Sequence, residues 1–157
     1  MTVGVVRASR PFERSVHDDT AERLVAAFNE RGHGSELVRV PYGFANVEMM
    51  LNSMLSTATM RVRGVDRLIV TGFPVSYVRH TSRVGWILED FEPAELVLRQ
   101  AVANIDAREL SAMPLFAATP ALQAGLRQRS GLTATVLAPP QAGDTAGWDA
   151  VVQALIA

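Results

Sequence analysis

The sequence predicts an α/β domain built on a mostly parallel sheet of about six strands. Three observations carry this reading. Six short apolar or β-branched runs are distributed along the 157 residues. Amphipathic helical stripes fall between most of them. Several runs are continuously apolar instead of alternating, as strands covered on both faces of a parallel sheet are.

Val3–Arg7 is the first run, and Leu37–Val40, stopped by Pro41, is the second. Arg67–Thr71, Val84–Leu88, Leu115–Ala118 and Thr133–Leu137 complete the set. Between the first two, Ala21, Leu24, Val25 and Phe28 lie at one-face helical spacing, with Gly32 as the stop. Val47, Met50, Leu51, Met54, Leu55 and Ala58 form a second stripe. Ala94, Val97, Leu98, Ala101, Val102 and Ile105 form a third, opened by Pro93. Thr119-Pro120 reads as an N-cap and first-turn proline for a fourth helix ending at Gly131. Trp148, Val151, Val152 and Leu155 mark a last helix, set off by the linker-like stretch Pro139–Asp144. The expected organisation is one domain over residues 1–140, with residues 141–157 forming a linker and a helix that packs back on it.

Composition narrows the function classes. The formal net charge of −1 gives no overall bias toward nucleic acid or anionic membrane. With no cysteine, disulfides, thiolate metal sites and cysteine nucleophiles are excluded. His17, His33 and His80 share no metal-ligand spacing, so neither a metal nor a cofactor is expected. No stretch is long enough to span a bilayer, and the N-terminus lacks the pattern of a signal peptide, which makes a cytoplasmic protein the default expectation.

In a parallel sheet, ligands bind beyond the carboxyl ends of the strands. The candidate site loops are therefore 8–19, 41–46, 72–83 and 89–92, together with Thr119. The first loop carries no glycine to let backbone approach a pyrophosphate, and Asp18 and Asp19 are read as capping the helix and repelling phosphate. Arg10, Arg14 and His17 remain, as contacts for an anionic or hydroxylated ligand or as solvated loop charges. Gly72, Phe73 and Tyr77 decorate the next loop. Within it, His80 has the titration range of a general acid or base, and Glu89 and Asp90 follow the Trp86 strand as candidate base and ligand-binding carboxylates. The same acidic residues also read as a helix N-cap ahead of Pro93.

Several segments, in order, resemble the N-terminal domain of GT-B-fold, family-four-type retaining glycosyltransferases. They are Ala21-Glu22-Arg23 and Arg31-Gly32-His33; Leu37–Pro41; Asp66 through Gly72-Phe73-Pro74; Val78-Arg79-His80 followed by Arg83–Leu88; Leu115–Thr119; and Val136–Pro140. The resemblance implies a single Rossmann-like, three-layer domain on the acceptor side of a glycosyltransferase. Gly147–Leu155 resembles the helix that ends such enzymes and folds back on the first domain. The donor-side carboxylate pair of the family has no counterpart, since only Asp144 and Asp149 follow Glu109. The family's cleft histidine falls on Glu89, and its first-loop glycine pair is replaced around Asp18-Asp19.

These departures imply an acceptor-type protein without a nucleotide-sugar domain, acting as a non-catalytic accessory or binding subunit. Its expected partners are a glycosyl acceptor and a full-length glycosyltransferase or donor subunit. A split enzyme completed by a separate donor subunit is the alternative, and a small standalone enzyme using Glu89, Asp90 and His80 is a weaker one. Apolar residues left on the cleft face, Phe12, Phe44, Phe73 and Tyr77, are expected to drive homo- or hetero-oligomerisation.

Overall fold

A computed structural model describes Met1–Ala157. Six strands form one all-parallel sheet in the order β2-β1-β3-β4-β5-β6. They are β1 (Thr2–Ser9), β2 (Gly34–Pro41), β3 (Arg67–Val70), β4 (Arg83–Ile87), β5 (Leu115–Ala117) and β6 (Thr135–Val136). The helices are α1 (Val16–Glu30), α2 (Val47–Thr59), α3 (Leu96–Leu110), α4 (Pro120–Ser130) and α5 (Thr145–Ile156), with one 3-10 turn at Val75–Tyr77.

The sheet is covered on both faces, which is why its strands read as continuous apolar runs. On one face Val3, Val5, Val84 and Trp86 pack against Leu24 and Phe28 of α1 and Trp148, Val152 and Leu155 of α5. On the other, Val6, Leu68, Val70 and Ile87 meet Val75 and Val78 of the 3-10 segment, Leu110 of α3 and Leu126 of α4. The back-packing helix is tied by two indoles. Trp86 Nε1–H donates to Leu137 O at 2.8 Å, Trp148 Nε1–H donates to Gln141 O at 3.1 Å, and the two rings meet edge to face. No helix is long and apolar enough to cross a membrane.

Three expectations change. The third helix starts at Leu96, not after Pro93, and Glu95 caps it without a side-chain hydrogen bond. Leu98, Val102 and Ile105 of the expected stripe do face the core, together with Leu110, while Val97 is 82% exposed. In α2 the expected stripe splits. Met50 and Met54 are buried, but Val47, Leu51 and Leu55 face solvent, and Thr57 takes the inner position by donating its hydroxyl to Ser53 O and Met54 O. Finally, residues 72–83 are not one rim loop. The chain leaves the carboxyl end of β3, makes the 3-10 turn, crosses the face of the sheet at Val75 and Val78, and reaches the amino end of β4 at Arg83. Parallel neighbours require such a crossover, and here it is too short for a helix.

Candidate functional site

The strand order reverses between β1 and β3, and a crevice opens beyond their carboxyl ends. Thr71 pins this point by donating its hydroxyl to Val6 O at 2.9 Å. Arg7 rises into the crevice from β1. Alternation puts it on the same face as Val3 and Val5, one step past the apolar core, where its side chain is only 4% exposed. A guanidinium so buried must have carboxylate partners. Nε–H donates to Asp18 Oδ1 at 3.0 Å, and Nη1–H donates to Glu89 Oε1. Ser15 lies 3.4 Å from Nη2.

Asp18 does two jobs. Ser15 is the N-cap of α1, and its backbone N–H donates to Asp18 Oδ2 at 2.7 Å. Burial pushes the Asp18 carboxyl up, but the Ser15 bonds and the Arg7 guanidinium outweigh burial and hold it below its ordinary value. In the same way burial lowers the Arg7 pKa, and Glu89 and Asp18 more than restore it. Asp18 is thus a buried partner of Arg7 as well as the expected capping residue.

Beside this ion cluster lies an aromatic ledge. Phe73 and Phe91 stack with ring centroids 4.1 Å apart and planes 6° from parallel. Phe44 packs on Phe91 at 4.4 Å, Tyr42 on Phe44 at 4.4 Å, and the Arg10 guanidinium covers Tyr42 and Phe44. The four rings are half-exposed. Arg10, Tyr42, Phe44 and Met49 line an open cleft of about 660 Å³, and Arg7, Arg14, Tyr42 and Glu89 line an adjoining one of about 250 Å³.

Under the ledge, Tyr77 is buried and its hydroxyl donates to Asp106 Oδ1 at 2.7 Å. Burial pushes the Asp106 carboxyl up to about 6; the Tyr77 bond and Arg129 oppose this, and Asp90 adds to it. Burial also raises the Tyr77 phenol. Asp90 takes a two-point bond from Arg129, with Nη1 at 2.9 Å from Oδ2.

Glu89, His17, Gly72, Phe73 and Asp90 therefore share the carboxyl end. His17 Nε2 stands 3.9 Å from Glu89 Oε2. Arg14 is at the same rim, but Asp19 and Glu22 hold its guanidinium. Thr119 accepts from Leu122 N–H at 3.1 Å, which makes it the N-cap of α4. Tyr77 is buried and supports the ledge from below. His80 is at the opposite end of the sheet. Ser82 N–H donates to its Nδ1 at 3.0 Å, which leaves Nε2–H to donate to Val65 O at 3.2 Å. Both ring nitrogens are thereby committed to backbone, and the structure does not bring His80 to Glu89.

The sequence does not single out Arg7 or Asp106, and it marks Phe91 only as part of the 89–92 loop. Arg7 had a signal, since a charge closing an apolar strand at its carboxyl end marks where the core gives way to the crevice. The carboxyl of Asp106 lay inside a helix with no local sign of burial. No group of three His, Asp or Glu side chains is placed to hold a metal ion. The chain matches no protein-family model, no curated protein and no solved structure.

Proposed function

We propose that these 157 residues form a glycosyltransferase-like acceptor-side domain that binds a glycosyl acceptor and does not itself transfer sugar. One observation carries the reading: Glu89, the candidate general base, is bonded to the buried guanidinium of Arg7. A general base needs a free oxygen aimed at the proton it removes. Here one oxygen is fixed on Arg7, and the carboxylate serves to hold the rim and to accept hydrogen bonds.

The half-exposed ledge of Tyr42, Phe44, Phe73 and Phe91 supports a saccharide ligand. Flat aromatic faces suit the apolar faces of a sugar ring, and the Glu89 oxygen not bonded to Arg7 can accept from its hydroxyls. The test is saturation-transfer NMR with a panel of mono- and disaccharides, paired with an assay of nucleotide-sugar turnover. Binding is expected for at least one saccharide and should vanish in Phe44→Ala, without hydrolysis or transfer by the protein alone. Unaided turnover, or failure of every saccharide to bind, overturns the proposal.

A second reading, a half-site completed by a separate donor subunit, is favoured by Phe12. This residue holds a left-handed backbone (φ 63°) and exposes its whole ring at the crevice rim. A non-glycine residue in that conformation is strained, and an exposed anchor of this kind suits a protein partner. Sugar transfer that appears only on mixing with a donor subunit, and is lost in Phe12→Ser, would select this reading.

A further inference from the structure

A second cleft, of about 520 Å³, opens at the amino end of the sheet, away from the aromatic ledge. Its lining includes Arg61, Arg63, Arg79, His80, Arg83 and Glu109. Two segments build its walls: residues 61–64, which lead from α2 to β3, and residues 79–83, which lead into β4. An isolated parallel bridge pairs Arg61 with Arg79, and Arg79 N–H donates to Met60 O at 3.0 Å. The His80 ring clips Val65 to Ser82, so the walls are held together by backbone contacts. Gly64 makes the turn with φ 78°, which glycine adopts without strain.

All fifteen basic residues of the chain are arginine. Ten of them have a side-chain carboxylate within 4.0 Å. Arg61, Arg63, Arg67, Arg79 and Arg127 do not, and three of these five line this one cleft. The only acid in the lining, Glu109, is shared between Arg83 at 3.6 Å and Arg108 at 3.2 Å. Arg79 spends its Nε–H on Ala58 O at 2.7 Å, which leaves its Nη groups without a protein partner. Arg61 and Arg63 make no side-chain hydrogen bond within the protein and are exposed. Like charges gathered around one concavity repel until an anion joins them. Guanidinium forks match phosphate oxygens in geometry, and the two unpartnered forks of Arg61 and Arg63 with the free Nη groups of Arg79 exceed what one carboxylate would neutralise.

We propose that this cleft binds a phosphate-bearing ligand with at least two negative charges, a phosphate monoester or pyrophosphate group, through Arg61, Arg63 and Arg79. The site shares no residue with the carboxyl-end crevice and stands or falls independently of the proposed saccharide binding. The full chain is titrated with inorganic pyrophosphate by calorimetry. In parallel it is sedimented with phosphatidylcholine vesicles, with and without phosphatidic acid. Affinity should fall at least about tenfold in Arg61→Glu/Arg63→Glu and, to a smaller extent, in Arg61→Gln/Arg63→Gln, because each lost charged hydrogen bond costs roughly a factor of ten. Arg127→Glu, equally exposed but outside the lining, should bind as the unaltered protein does. Circular dichroism checks that each variant folds. Pyrophosphate binding without vesicle capture assigns a soluble ligand. Capture that pyrophosphate competes away assigns a lipid-borne phosphate. Either supports the site. Failure to bind both probes, capture that pyrophosphate does not compete away, binding undiminished in the two double variants, or an equal loss in Arg127→Glu overturns it.

Discussion

The two ends of the sheet treat charge in opposite ways. At the carboxyl end the ionic groups beside the crevice are bonded to one another: Arg7 to Asp18 and Glu89, Arg14 to Asp19 and Glu22, Asp90 to Arg129. What that end offers to solvent is a row of half-exposed rings. At the amino end Arg61, Arg63 and Arg79 have no acidic partner, and what is offered is charge. The contrast shows that the number of charges in a loop is a poor guide to what it binds. A charge already answered within the fold contributes to architecture, and one left unanswered is free for a ligand.

The sharpest way to break this comparison is at Arg7. Arg7→Met leaves the Asp18 carboxylate buried without its guanidinium, and urea denaturation should show a loss of about 3–5 kcal/mol, the usual cost of removing one partner of a buried pair. Adding Asp18→Asn should restore part of that loss. If Arg7→Met is nearly neutral, the carboxyl-end cluster is not the internally satisfied unit described above.

Next in size is the pH dependence, where the buried Asp18 and the half-buried Asp106 act with opposite sign. Asp106 has a folded pKa raised to about 6 by burial. The folded protein therefore binds more protons than the unfolded chain between about pH 4 and 6, and stability from this group is full at low pH and lost as pH rises through 6. Asp18 has a lowered folded pKa, so its contribution is present above the ordinary carboxylate range and lost as pH falls below it. Asp106→Asn keeps an acceptor for the Tyr77 hydroxyl and removes the first effect. At pH 7.5 it should stabilise the protein by about 3 kcal/mol, and at pH 4 by little. Equal denaturation midpoints for the variant and the parent at both pH values would remove Asp106 from the account.

His80 tests the amino end. His80→Ala removes the clip between Val65 and Ser82, with an expected loss of about 1–2 kcal/mol in the same denaturation experiment. It should leave saccharide binding at the far end unchanged; loss of that binding with stability intact would return His80 to the crevice. The smallest effect on stability is expected from Arg61→Glu/Arg63→Glu, within about 0.5 kcal/mol, because neither side chain has an internal partner. A large destabilisation there would mean that these arginines serve the fold after all.

The elements and the layers were legible in the sequence, and the chemistry at the two ends was less so. Thr119 is legible as an N-cap because Pro120 follows it and the N–H it accepts from is three residues away. Arg7 was passed over because its partners are 11 and 82 residues away. His80 was placed at the crevice because it follows Gly72-Phe73-Pro74 in the chain. The crossover carries it across the sheet, since a parallel β4 must begin where β3 began. Val97 looked like core by spacing, but periodicity defines a face without saying whether anything covers it.

What the sequence determined by itself is what local interactions determine: apolar runs that must be buried, stripes with a helical period, caps and stops. Those terms involve residues a few positions apart, and they sum to an α/β domain with a parallel sheet and a helix packed back on it. What only the tertiary structure decided is which charges meet. The pairing of Arg7 with Asp18 and Glu89, the separation of His80 from Glu89, and the isolation of Arg61, Arg63 and Arg79 depend on strand order and on the course of one crossover. A charge's role is set by its neighbours in space, because Coulomb and desolvation energies depend on distance and burial and not on separation along the chain.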